Sequence, residues 1–131
     1  MLFIACSEEN GDNPTPDSSA KPIVILYEND VHCTVDGYPI LVSMRKECQS
    51  ATKYVSTVSC GDFASGGVVG AISKGEQIAR IMNYVGYDAV VLGNHELDYG
   101  IPQMFNITDS LDAPVLCANF KNVQTGEFPY P

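Results

Sequence analysis

Three apolar runs each end in residues able to hold a metal ion or move a proton. Ile23-Val24-Ile25-Leu26-Tyr27 runs into Asn29-Asp30-Val31-His32, and Tyr54-Val55-Ser56-Thr57-Val58 runs into Gly61-Asp62. Asp88-Ala89-Val90-Val91-Leu92 runs into Gly93-Asn94-His95-Glu96-Leu97-Asp98. Short apolar runs of this kind read as buried strands, so three strand ends deliver Asp, His, Asp, Asn and His. Oxygen and imidazole donors suit divalent metal ions, and open α/β sheets bind ligands at the carboxyl ends of their strands. The chain's two histidines, His32 and His95, both fall in these blocks and neither lies on a helix face. A lone Asp at a strand end would otherwise read as a turn or cap residue. Glu96 and Asp36 read as solvent-facing.

The elements that must position these residues alternate along the chain. Strand one is Ile23 to Tyr27. A helix begins after Pro39, with Ile40, Leu41, Met44, Cys48 and Ala51 on one face. Strand two is Tyr54 to Val58, and a small-residue loop follows from Ala64 to Gly75. A second helix carries the stripe Ile78, Ile81, Met82 and Val85 and ends at Gly86. Strand three is Asp88 to Leu92. Gly100-Ile101-Pro102 opens a third helix, and Ala113 to Ala118 reads as strand four. This βαβαβαβ order predicts an α/β fold with a mainly parallel sheet and flanking helices.

Composition bounds the function. The chain has 131 residues, 45% of them hydrophobic, which suits one modest globular domain. A formal charge of −9 and a pI near 4.3 argue against binding a nucleic acid polymer, whose phosphates are met chiefly by Lys and Arg. A small phosphorylated substrate remains compatible, because bound cations invert the local charge.

Residues 1–21 read as a processing segment and tether. Leu2-Phe3-Ile4-Ala5-Cys6 followed by a polar Ser, Asn, Asp and Pro tract is similar to the end of a bacterial lipoprotein signal, with Cys6 as the lipidation site. No basic region precedes it. This implies export and a lipid anchor at the bacterial cell envelope, in the periplasm or on the cell surface, as the chain's membrane contact. No stretch approaches the ~20 apolar residues of a membrane span. Residues 22–131 form the folded part.

The three ordered blocks, Asn29-Asp30-Val31-His32, Gly61-Asp62 and Gly93-Asn94-His95-Glu96-Leu97-Asp98-Tyr99-Gly100, with Ala118-Asn119 after strand four, resemble the opening blocks of the calcineurin-like metallophosphoesterases. Within that superfamily they are most similar to the bacterial 5′-nucleotidase and 2′,3′-cyclic phosphodiesterase branch, from about Ile23 to Phe128. The resemblance implies hydrolysis of phosphate esters, chiefly of nucleotides. Two divalent metal ions such as Mn or Zn, ~3.5–4 Å apart, would activate water and neutralise phosphate charge. It implies Asp30, His32 and Asp62 as ligands of one metal, Asp62 as the bridge, and Asn94 as a ligand of the second. It also implies His95 as a catalytic group acting on the phosphate or leaving oxygen, with Asp98 three residues on holding its other ring nitrogen.

Two departures qualify the resemblance. The family places Gly after the first histidine, whereas this chain has Cys33, and Cys60 precedes Gly61. Cys33, Cys60 and Cys117 fall at strand ends and read as buried reduced thiols; no C-x-x-C spacing marks a zinc or redox site. The family also draws further histidines from later blocks, including Gly-His-x-His, and nothing after His95 supplies one. The resemblance thus covers the first half of an α/β/β/α sandwich, with the second metal site incomplete. That implies the N-terminal part of a longer enzyme, inactive alone. The alternative is a truncated, catalytically inactive metal-binding or interaction fragment.

Overall fold

The computed structural model describes the backbone of Leu2–Ile4 and residues 22–131. Cys6 and the polar tether lie outside the described residues. Five strands form one sheet in the order β1 (Leu2–Ile4), β2 (Val24–Glu28), β3 (Val55–Ser59), β4 (Ala89–Val91) and β5 (Val115–Leu116). β2 to β5 run parallel, and β1 pairs antiparallel with β2. The crossovers carry α1 (Gly37–Ala51), α2 (Gly67–Ser73) with α3 (Glu76–Val85), and a 3-10 turn (His95–Leu97) with α4 (Ile101–Asp109). The parallel sheet with flanking helices is the α/β architecture expected from the sequence.

Because β2 to β5 lie in sequence order, right-handed crossovers place their helices on the same side of the sheet. α1, α3 and α4 accordingly pack side by side. Alternation along the strands sends Leu26, Thr57, Ser59 and Val90 under the helices, where they meet Ile78, Met82 and Ile107, all under 2% exposed. The opposite face keeps Ile25 54%, Val91 40% and Leu116 42% exposed. It is an apolar sheet face with no layer over it among the described residues.

Two local readings need correction. The first helix starts at Gly37, ahead of Pro39, and its buried residues are Tyr38 and Leu41 while Ile40 faces outward. Pro39 still sits in the first turn, whose N–H groups have no helical partners to lose. The stretch from Ala64 to Gly75 contains the two-turn helix α2, where a loop was expected. Its glycines look like turn signals, but Gly70 is selected by packing. A Cβ there would lie 2.6 Å from Cys33 Sγ and 3.3 Å from its Cβ, which outweighs the ~1 kcal/mol propensity cost of a helical Gly.

One core carboxyl stands apart. Glu28, on the helix side of β2, is 4% exposed, and its oxygens have no hydrogen-bond partner among the described residues. Burial raises its pKa; the neighbouring Ser59 and Tyr87 side chains offset part of that without closing to a full hydrogen bond. Among the described residues no helix is long and apolar enough to cross a membrane.

Candidate metal centre

The site forms where the chain leaves β2, β3 and β4. Main-chain bonds continue the pairing beyond the strands. Asp30 N donates to Gly61 O (3.2 Å), His32 N to Asp62 O (3.0 Å) and Cys33 N to Phe63 O (3.2 Å). The backbone pays for this course with left-handed φ values at Asp30 (57°), His32 (45°), Cys33 (58°) and Asp62 (58°). For non-glycine residues that conformation costs about 1–2 kcal/mol each, and such strain concentrates at functional sites.

These turns bring Asp30, His32 and Asp62 together, with one ligand atom from each lying within 4.8 Å of the others. His32 Nε2 is 3.8 Å from Asp30 Oδ1. His32 Nδ1 lies 3.3 Å from the Ser65 carbonyl, which can only accept, so the ring donates from Nδ1 and keeps an Nε2 lone pair for a metal. Asn29 Nδ2 donates to Asp30 Oδ2 at 2.5 Å. Two carboxylates and a correctly oriented imidazole, reachable from solvent, fit the donor set of a hard or borderline divalent ion.

His95 and Asp98 stand beside this group, across the 3-10 turn. His95 Nδ1 donates to Asp98 Oδ2 at 2.8 Å, and Ser65 Oγ donates to the same oxygen at 2.6 Å. The Ser65 hydroxyl, followed by His95, holds the Asp98 carboxyl below its usual range, and the Asp98 hydrogen bond raises His95. The His95 amide donates to Asp62 Oδ1 at 2.8 Å. The His32 and His95 rings meet edge to face, with centroids 4.7 Å apart. Asn94, exposed on the same loop, lines a cavity of about 290 Å³ shared with Leu97, Met104, Cys117 and Asn119.

Glu96 corrects the sequence reading: it is fully buried, not solvent-facing. Oε1 accepts from the amides of Phe63 (2.8 Å) and Ala64 (3.0 Å), and Oε2 from those of Asp62 (3.0 Å) and Gly93 (2.6 Å). Ser65 was likewise not marked by the sequence. Glu96 answers the loops' surplus of main-chain donors, and Ser65 ties the Asp98 carboxylate to the loop after β3; both needs appear once the loops converge. Asp36 is exposed, as expected.

The cysteines divide. Cys33 and Cys117 are buried, and the Cys33 thiol donates to Phe63 O at 3.3 Å. Burial pushes the Cys33 thiol up to about 11, so it stays protonated. Cys60 is exposed, contrary to the buried-thiol reading. The four cysteines among the described residues are free.

Comparison with known proteins gives the same answer as the fold. No family model matches the sequence. Bovine 5′-nucleotidase is 29% identical over 123 residues, covering 79% of this chain and 21% of that protein. The trifunctional nucleotide phosphoesterase YfkN of Bacillus subtilis is 28% identical over 122 residues, 92% of this chain and 8% of its own length. This chain therefore spans about a fifth or less of these relatives. The crystal structure of the calcineurin-like phosphoesterase YfkN superposes with a TM-score of 0.71 at 24% identity, over 82% of this chain and 40% of that one. With its three strand-end blocks converging on one site, the chain has the fold of a calcineurin-like phosphoesterase and is similar in sequence to part of the 5′-nucleotidases and of YfkN.

Proposed function

We propose that this chain supplies the N-terminal half of a two-metal site that hydrolyses phosphate esters of nucleotides. The observation that carries the reading is the gathering of Asp30, His32 and Asp62 within 4.8 Å, beside a His95–Asp98 pair 2.8 Å apart. Divalent ions, when bound, lower the pKa of a coordinated water and neutralise charge on phosphate oxygens. Asp30, His32 and Asp62 would hold one ion. Asp62 would be shared with a second, to which Asn94 would add its side-chain oxygen.

The proton chemistry belongs to the chain. Asp98 takes the Nδ1 proton of His95 in a hydrogen bond, which orients the ring and favours its charged form. Nε2 is then free to donate to a phosphoryl or leaving-group oxygen. Ser65 donates to the same Asp98 oxygen and restrains it. The same reading makes residues 1–21 an export segment and tether, lipidated at Cys6 and anchoring the protein at a bacterial cell envelope. The substrate is small, with no nucleic acid polymer bound.

The test is a chimera in which residues 22–131 replace the matching segment of the Bacillus subtilis YfkN phosphoesterase domain. Phosphate release from a nucleoside monophosphate, lost in Asp62→Asn and in His95→Asn, is the expected result. A folded, metal-loaded chimera without hydrolysis would overturn the proposal.

A further inference from the structure

The loops after β3 and β4 carry Asp62 on one side and Asn94 and His95 on the other, yet little side-chain matter locks them together. The β3–β4 ladder ends at the Ser59–Val90 pair. Beyond it the backbones touch through glycines: a Cβ on Gly61 would run into Gly93, and one on Gly93 would lie 2.8 Å from Asp62 N and overlap its carboxylate. Glycines permit this approach but cannot hold it.

We infer that Glu96 is the positioning residue that latches these two loops and so sets where Asp62 stands relative to Asn94 and His95. Its two oxygens take three amides from the β3 loop, those of Asp62, Phe63 and Ala64, and one from the β4 loop, that of Gly93. A carboxylate offers about four acceptor sites, and four donors use them. The side chain is fully buried, so water cannot substitute if it is lost. Glu96 replaces the missing ladder with one rigid acceptor, and the His95 amide on Asp62 Oδ1 closes the ring from the other end. This rests on the proposed metal site for its consequence but not for its geometry.

Two readouts on the full chain separate the possibilities. In the parent, amide exchange at Phe63, Ala64 and Gly93 should be slow, although these residues lie outside the strands. Glu96→Gln leaves one acceptor oxygen and turns an NH₂ toward amide donors; Glu96→Asp keeps the charge but falls one methylene short of spanning both loops. Both should speed exchange at those amides at least tenfold, with the Leu26 and Val90 amides unchanged. Both should also raise roughly 10- to 100-fold the Mn²⁺ concentration needed to broaden the His32 and Asp62 resonances. Fast exchange at these amides in the parent overturns the latch. So does an exchange increase spread evenly over the sheet, with Mn²⁺ binding per folded molecule unchanged, because Glu96 would then be ordinary core. Wild-type behaviour of Glu96→Asp also overturns it. If the parent shows no Mn²⁺ broadening at all, the metal reading fails, and the exchange pattern alone decides the latch.

Discussion

Ser65 and Asp98 come from loops 33 residues apart and meet at 2.6 Å, hydroxyl to carboxylate. The same Asp98 oxygen receives His95 Nδ1 at 2.8 Å, while the Ser65 carbonyl receives His32 Nδ1 at 3.3 Å. One serine thus orients His32 through its main chain and the His95–Asp98 pair through its side chain.

The pair has a pH signature. The Asp98 hydrogen bond raises His95 above its ordinary value of 6.5, so in the metal-free chain its NMR titration midpoint should lie above 6.5. A group whose folded pKa is raised contributes stability that is complete below the unfolded value and is lost as pH rises through the folded one. Asp98→Asn should return the midpoint toward 6.5 and Ser65→Ala should change it less. An unchanged midpoint in Asp98→Asn would show that the pair does not form in solution.

Ligand and proton-transfer roles should separate by substitution in the chimera. Asp62→Asn removes the charge shared by both proposed ions, and bound metal and turnover should fall together. His95→Asn should cut turnover roughly 10²-fold or more with metal content nearly intact, and Asp98→Asn should give a smaller loss of the same kind. Metal analysis beside kinetics checks this; metal loss in His95→Asn would make it a ligand.

Residues 1–131 alone should take up at most one divalent ion, weakly. The first proposed ion has three protein ligands, the second only Asp62 and Asn94, too few for tight binding when water fills the rest. With manganese or zinc added, phosphate release from a nucleoside monophosphate should not exceed that of His95→Asn. Robust activity abolished by Asp62→Asn would show that the chain completes a working site unaided.

Glu28 predicts a slope in stability. Burial raises its pKa above 4.5. The sign follows: the unfolded chain ionises first, so the protonated buried carboxyl contributes stability below 4.5 and loses it as pH rises toward the folded value. Thermal melts should show a fall in Tm over that window which Glu28→Gln lacks. Equal slopes would mean that the carboxyl reaches water.

Much of this was legible along the chain. Apolar runs of five residues bounded by Gly, Asp and Asn marked the strands, and the stripe Ile78, Ile81, Met82 and Val85 ending at Gly86 marked α3. Both signals are periodic and local, and burial on one face enforces them. The three blocks at strand ends were legible for the same reason, since a parallel sheet sends its carboxyl-end loops to one edge.

The tertiary structure decided what depends on distant partners. Whether Glu96 faces water or four amides is set by the convergence of two loops more than 30 residues apart, and no neighbouring residue announces it. Position 70 takes Gly inside a helix because Cys33 leaves no room for a Cβ, and Ser65 matters because it touches both histidine systems. Sequence by itself determined the elements and the donor types, because periodicity and residue chemistry are properties of neighbours. Packing determined which buried acceptor holds the donors in place, because a hydrogen bond depends on distance in space and is blind to distance along the chain.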